Sequence, residues 1–284
     1  MLVAGFLFAA MALLVKIGGA HFEAIELAMY RSLAAFVFIA GFVLARGERV
    51  WNPHMGTHLV RSLAGTFGLA TYFYAIANLP LATATTLNYT SPLFLAVATT
   101  VVLQEKFSRW LLAAIVLGFA GVAMLLQPTF AEGKEGAAMV GLFSGLLSSW
   151  AYLGVRALGR HGEPEWRILF WFGLFGTVGC AAWQLSFSTF HRVGWDNVAI
   201  LAGIGVLGTV AQLAMTRAYR TGNTLVVGSL SYSTIVFSTL FMVVFWNDTL
   251  TAPGWAGVVA IVASGLLALR VERKDQVEEA GFES

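Results

Sequence analysis

Ten long apolar stretches occupy almost all of this 284-residue chain, and no other feature constrains its fold as strongly. They run over 2–20, 24–45, 57–78, 80–104, 109–127, 137–158, 167–188, 197–219, 224–246 and 253–270. A helix needs about 20 predominantly apolar residues to cross about 30 Å of hydrocarbon. The pattern predicts an all-α polytopic membrane protein with ten transmembrane helices. Charged residues make up only 11% of the chain, against roughly 25% in soluble domains. The spans leave no room for a soluble catalytic domain. The lone cysteine, Cys180, falls in span 7, so no intramolecular disulfide can form. It reads as a small buried apolar residue. Residues 1–20 lack the basic flank of a signal peptide, although Gly18-Gly19-Ala20 loosely resembles a cleavage site. The chain begins almost directly in apolar sequence, which leaves a trimmed leader open.

Basic residues mark the orientation. With a cytoplasmic N-terminus, the inside loops and tail hold Arg46, Arg49, Arg61, Lys106, Arg109, Arg156, Arg160, Arg167, Arg217, Arg220, Arg270, Arg273 and Lys274. The outside ends hold Lys16, Lys134 and Arg192, and Arg31 falls within span 2. The positive-inside rule then puts both termini in the cytoplasm. Residues 271–284 read as a charged cytoplasmic tail that frays in water.

The two halves resemble each other. Residues 75–105 slide onto 218–248 without a gap, so that Ala75 meets Ala218, Leu87 meets Leu230, Tyr89 meets Tyr232 and Glu105 meets Asp248. Five spans per half is an odd number, so the second copy must sit upside down relative to the first. The expected organisation is a first repeat at 1–127, a linker on the far side of the membrane at 128–136, and a second, inverted repeat at 137–270. Inverted repeats recur in secondary transporters.

These residues resemble the drug/metabolite transporter superfamily, EamA-type. The resemblance spans essentially the whole chain. Its markers are Tyr30-Arg31-Ser32, the run from Tyr72 to Glu105 with Asn88-Tyr89-Thr90-Ser91-Pro92, and Ala218 to Asp248. It implies a central cavity lined by spans 1, 3, 4, 6, 8 and 9, and rocking of the two halves. It also implies carriage of a small metabolite, of the kind of amino acids, riboflavin, nucleosides or S-adenosylmethionine. Ile235 stands where the first copy has Pro92, so the halves are not expected to bend identically.

Several residues are candidates for the pathway. Pro92 lies near the middle of span 4 and frees the carbonyl of Asn88, which in lipid demands a partner or a wet cavity. Pro92 is therefore a hinge candidate, or else a static kink. Tyr89 and Tyr232 hold equivalent mid-membrane positions and offer ring faces and hydroxyls. Tyr72, Tyr74, Trp150 and Tyr152 add further aromatic surface, as lining or as ordinary packing. Gln212 is the deeper of two membrane amides, with Gln184 nearer an end. Ser91, Ser148, Ser149, Ser229 and Ser231 either line the cavity or bond their own helices. The proposed binding set is Tyr72, Asn88, Tyr89, Ser91, Trp150, Gln212, Ser231 and Tyr232. Lys16, Glu26 and Arg31 are expected to cluster near the outer side as a latch or gate. No deep, unpaired Asp or Glu is apparent in a span, which weakens an acid-coupled antiport mechanism. Gly141, Gly145 and Ser149 in span 6, and Ala256, Ala260, Ser264 and Ala268 in span 10, form small-residue stripes that allow close helix approach. The second stripe is a candidate surface for a weak homodimer of an otherwise monomeric protein.

Other functions find little support. There is no Gly-x-x-x-x-Gly-Lys-Ser/Thr loop, and His54 and His58 lack the third ligand of a metal site. No cofactor and no nucleic-acid partner is expected. The partners implied are a small-molecule metabolite and the bilayer of a bacterial inner membrane. The resulting expectation is alternating-access export of an amino acid, aromatic ones included, or a related metabolite. Uptake of a vitamin, nucleoside or S-adenosylmethionine-like solute is the alternative within transport. A membrane-embedded lipid-modifying enzyme or a scaffold is the alternative outside it.

Overall fold

The computed structural model describes residues 1–79, 81–102, 104, 108–129, 132–246 and 250–282. Glu105, Lys106 and Asp248 lie outside the described residues, as do the side chains of Arg273 and Lys274. The first half forms α1 (Leu2–Gly18), α2 (Ala24–Arg46), α3 (Met55–Asn78), α4 (Leu81–Asn88), α5 (Ser91–Val102) and α6 (Arg109–Leu126). The second half forms α7 (Glu135–Arg160), α8 (Glu165–Phe187), α9 (Trp195–Thr221), α10 (Thr224–Ser231), α11 (Ser233–Trp246) and α12 (Ala252–Phe282). Helices α4 and α5 are two pieces of one span, as are α10 and α11, so the twelve helices among the described residues make ten spans. Counting α10–α11 as one, seven stretches among the described residues are long and apolar enough to cross a membrane.

Local chemistry sets several boundaries. Gly47 adopts φ +63, and the N–H of Glu48 reaches back to the Val43 carbonyl, which closes α2 with a left-handed cap. Ser108 caps α6 by accepting from the Trp110 N–H, and Asn223 caps α10 by accepting from Leu225 and Val226. The tail expected to fray instead continues α12 as helix to Phe282. From Val271 to Ala280 there is neither proline nor glycine, and Arg, Lys, Glu, Gln and Ala all favour helix.

The offset of 143 holds through the later helices of each half, while α2 and α8 stand 141 apart. It carries the start of α4 at Leu81 onto that of α10 at Thr224, and the start of α6 at Arg109 onto that of α12 at Ala252. Packing obeys the same exchange: α3 lies on α7 as α9 lies on α1, and α5 lies on α7 as α11 lies on α1. The pairs α2–α8 and α6–α12 map onto themselves. This is the inverted pair of five-helix repeats. Large apolar side chains such as Leu44, Val116 and Leu185 stay exposed around the bundle, as a lipid-facing surface requires.

Glycines bring α6 and α12 together. A Cβ on Gly121 would stand 2.8 Å from the Gly257 carbonyl oxygen and 3.0 Å from the Ala260 Cβ. A Cβ on Gly118 would stand 2.5 Å from a Tyr232 ring carbon and 2.6 Å from the Ser264 hydroxyl. Ala260 and Ser264, part of the stripe considered for a dimer, therefore face α6 within one molecule, and the hydroxyl of Ser264 donates to the Ala114 carbonyl. We expect Gly118→Ala to cost about 1–3 kcal/mol, as overpacking does. Gly56 is the control, because a Cβ there would meet nothing within 4 Å. Thermal unfolding in detergent should show a lower midpoint for Gly118→Ala and no loss for Gly56→Ala.

Candidate functional site

Both halves interrupt a helix at the same place. In the first, Tyr89 and Thr90 separate α4 from α5; in the second, Tyr232 separates α10 from α11. Pro92 explains the first break, since it has no N–H for the Asn88 carbonyl. The second break arises without proline. There the Ser231 hydroxyl donates to the Gly228 carbonyl and the Ser233 hydroxyl to the Leu230 carbonyl, each at 2.6 Å. Hydroxyls that bond backward along a helix compete with the backbone ladder and bend it. The expected difference between the halves is thus one of degree: two residues leave the helix at the first break and one at the second. The breaks meet where Pro92 packs on Gly228, whose absent Cβ would be 3.5 Å away.

Around the first break the polar groups converge. The Asn88 amide donates to Ser144 at 3.0 Å and to Ser148 at 3.5 Å, both on α7. Gly145 lets α7 approach: a Cβ there would be 2.9 Å from the Leu87 carbonyl oxygen and 3.0 Å from that of Asn88. The Tyr72 hydroxyl lies 3.0 Å from that of Thr85, and Tyr89 lies beside Thr234. Ser91 is buried at the start of α5.

Two residues of the expected lining sit elsewhere. Tyr232 is wholly buried in the apolar cluster with Leu111, Ile115 and Ile261, on the α6–α12 side; its ring centre is 6.3 Å from that of Tyr89. Trp150 shares an exposed face of α7 with Met139 and Phe143, at spacings of one helical stripe. That face is opposite the one carrying Ser144 and Ser148, so Trp150 points away from Asn88. Apolar bulk on a helix in lipid is stable facing outward, which is why an aromatic residue alone does not mark a cavity.

A second polar locus lies at the molecular centre. The Arg31 guanidinium donates to the Gln212 side-chain carbonyl at 3.2 Å. Gly208 makes room for it, since a Cβ there would stand 2.9 Å from the Arg31 Cγ. Arg61, six residues into α3 and so about 9 Å along it, is only 2% exposed. Its guanidinium lies 3.9 Å from the centre of the Phe172 ring. Tyr152 is close to both arginines and stacks on Tyr219 at 4.7 Å. Only about 10 Å³ of free space remains among Arg31, Ser32, Phe172, Gly208 and Gln212, so this centre is closed. The charge count along the sequence groups Arg61 with the loop cations; the start of α3 at Met55 moves it inside the bundle.

Each end of the bundle is tied by a carboxylate and a histidine. At one end, wholly buried Glu26 accepts from the His191 backbone N–H at 3.1 Å and contacts its ring nitrogen at 2.8 Å. Beside it, Glu23 accepts from Ser188 at 2.6 Å and from Gln184 at 3.3 Å. A recess of about 520 Å³, lined by Val15, His21, Phe22, Glu23, Leu27 and His191, opens over this closure. At the other end, Glu163 lies 3.6 Å from His58 and accepts from Arg167 at 2.6 Å. Arg167 also donates to the Arg49 carbonyl, and the Trp171 indole to that of Val50. The expected Lys16–Glu26–Arg31 cluster is therefore not what forms. Glu26 turns to His191, Arg31 to Gln212, and the Lys16 ammonium lies 3.3 Å from the Met242 sulfur. Helix direction accounts for this: Arg31 is five residues below Glu26 and points across the bundle to α9.

Cys180 reports on the first closure, because it is 3% exposed and packs with Ala28 and Met29 beneath it. Removing a charged hydrogen-bond partner costs about 1.5–3 kcal/mol, and roughly 1.4 kcal/mol is tenfold in a population. Glu26→Ala should therefore speed modification of Cys180 by a small hydrophilic thiol reagent by about tenfold, whereas Glu163→Ala at the far end should not.

Comparison with known proteins agrees with this architecture. The EamA-like transporter family matches residues 1–127 and 136–270. The chain is 31% identical over 276 residues to the pseudopaline exporter CntI of Pseudomonas aeruginosa strain UCBPP-PA14, covering 95% of each. It is 28% identical over 273 residues to an uncharacterized transporter of Helicobacter pylori strain 26695, covering 94% of this chain and 92% of that one. A riboflavin transporter of Rhizobium johnstonii is 25% identical over 253 residues, covering 87% and 81%. A solved crystal structure superposes with a TM-score of 0.82 at 22% identity, covering 95% of this chain and 96% of the other, and shares the fold. The chain is a multi-pass membrane transporter of small metabolites and not an enzyme; it belongs to the EamA-like transporter family.

Proposed function

We propose that this protein exports an amino acid or a chemically related small metabolite across a bacterial inner membrane, with both termini in the cytoplasm. The observation that carries the reading is the pair of helix breaks meeting at Pro92 and Gly228, with the Asn88 amide held against α7. Interrupted helices at membrane depth are tolerated only where protein or a water-filled cavity satisfies the freed backbone. In transporters built from inverted repeats such breaks form the binding site. Asn88, Tyr89, Tyr72 and Ser91 would meet the solute from one side, and Gln212 and Arg31 from the other. Pro92 serves as the hinge. Export is favoured by the likeness to the pseudopaline exporter, and the cytoplasmic termini by the positive-inside rule.

Two measurements test this. A fluorescent protein fused to the C-terminus should fluoresce in cells, while a periplasm-dependent phosphatase fused there should stay inactive. In proteoliposomes, counterflow of labelled amino acids and related metabolites should occur with the purified chain alone. Asn88→Ala should lower its rate by about tenfold, the effect of losing one well-placed buried hydrogen bond. Silence of correctly folded wild type across amino acids, vitamins and nucleosides would defeat the transport assignment to these classes, and counterflow of a vitamin alone would favour the riboflavin-like uptake reading.

A further inference from the structure

We propose that Arg31 and Arg61 together form a paired-guanidinium site, and that the solute carried is an organic oxyanion of net negative charge. This rests on the transport reading above and assigns its substrate class. The argument begins with charge. Both arginines lie well inside membrane-spanning helices, where an isolated cation is expensive and usually marks function. Among the described residues the ion pairs join Glu163 to His58 and Arg167, Glu26 to His191, and Glu165 to Arg220. Every one of those carboxylates has a cation that is neither Arg31 nor Arg61. The two guanidiniums border the same ring: Arg61 lies 3.9 Å from the Phe172 centre, and Phe172 lines one small space with Arg31. The protein thus holds two positive charges at its centre with no carboxylate among the described residues against either.

Hydrogen bonding points the same way. The Nε and Nη1 of Arg61 are buried with no acceptor, and so is the Nε2 of Gln212. All three are donors. The Arg61 guanidinium rests on one side of Phe172, and the same ring lines the closed centre with Arg31 and Gln212. Unfilled donors around two cations match an acceptor that carries charge, and a planar guanidinium fork fits a carboxylate or phosphate in bidentate fashion. A neutral solute could fill some of these donors but would leave net positive charge uncompensated, and a cationic one would add to it.

The repeat supplies an independent argument. The offset of 143 that carries Leu81 onto Thr224 carries Arg61 onto Ile204, and α2 and α8, whose ends stand 141 apart, carry Arg31 onto Phe172. The equivalent fold positions are therefore built with apolar residues. Helix packing at these places does not need arginine, so the charge serves something other than the scaffold.

The test uses the full-length protein and matched pairs of probes: glutamate against glutamine, aspartate against asparagine, citrate, a sugar phosphate, and lysine. In proteoliposome counterflow, wild type should carry acids at least about tenfold better than their amides, as expected where buried donors go unmatched by the neutral analogue. Citrate and the sugar phosphate separate carboxylate from phosphate recognition, and preference for either supports the site. Arg61→Gln and Arg31→Gln should each erase the preference, and Arg61→Lys should retain part of it. Thermal stabilisation in detergent gives a second readout: glutamate or citrate should raise the midpoint of wild type and not of Arg61→Gln. If the Gln variants do not fold, the acid-against-amide comparison in wild type decides alone. Transport of glutamine, asparagine or lysine with rejection of every acid would overturn the proposal while leaving the transport reading intact. If no probe moves at all, the transport reading above fails for these solutes. Stabilisation by acids that Arg61→Gln loses would then still support the anion site, and equal or absent stabilisation would overturn it.

Discussion

Everything in this fold is arranged around two places inside the membrane where a helix gives up its regular hydrogen-bond ladder. At Thr90 and Tyr232 the backbone N–H groups turn to carbonyls three residues back, those of Leu87 and Ser229, and Pro92 has no N–H to give the Asn88 carbonyl, where no lipid molecule can supply a partner. Such segments must be enclosed by protein. Glycines make the enclosure close enough: Gly145 brings α7 against the carbonyls of Leu87 and Asn88, and Gly118 brings α6 against the Tyr232 ring. The side chains then finish what the backbone leaves undone. Thr90, Ser231 and Ser233 donate to nearby carbonyls, and Asn88 reaches α7. The peripheral pair α6–α12 follows from this need, because it walls the second break off from lipid. In consequence Tyr232 belongs to that wall, while Asn88 and Tyr89 remain turned toward α7 and α11.

How the bundle is tied at its ends follows from the inverted repeat. The loops joining α1 to α2 and α8 to α9 meet at one end through Glu23, Glu26 and His191. Those joining α2 to α3 and α7 to α8 meet at the other through Arg49, Val50 and Arg167, with Glu163 beside His58. Adding the repeat offset exchanges these two loop pairs. Both ends are tied, and only about 10 Å³ of free space remains at Arg31 and Gln212. Opening one end means losing its set of ties while the other set persists, which is how a symmetric scaffold exposes one centre to two sides in turn.

Much of this is legible in the sequence, and the parts that are not have physical reasons. Span length is set by bilayer thickness, so the ten stretches fall within a few residues of the helices, apart from α12, whose helix runs on through the charged tail. The first break is visible because proline announces it. The second is hidden because hydroxyls bonding three residues back leave no unusual residue type behind. Arg61 escapes notice because a basic residue four positions into a span is ordinarily counted with the loop charges, and its burial against Phe172 decides otherwise. Trp150 misleads for a different reason: its spacing from Met139 and Phe143 already places it on an outward stripe, and face outweighs chemistry. The pairing of Glu26 with His191 joins residues 165 apart, a distance across which one chain's pattern carries no signal.

The symmetry of the scaffold and the asymmetry of its charges have different physical origins. Backbone geometry is duplicated because two inverted copies of the same helix break can interchange, and interchange needs similar energies in both states. Recognition has no such requirement. A solute occupies one centre, so the residues that hold it need appear only once. Arg31 and Arg61 in the first half correspond to Phe172 and Ile204 in the second, and Gln212 in the second half corresponds to Leu69 in the first. The end closures are unequal too: Glu26 is wholly buried against a half-exposed His191, whereas Glu163 shares its carboxylate between His58 and Arg167. Unequal closures make the two open states differ in energy even though the helices that form them are interchangeable. Direction and selectivity in such a protein therefore reside in the few side chains that break the repeat, and those side chains are polar or charged.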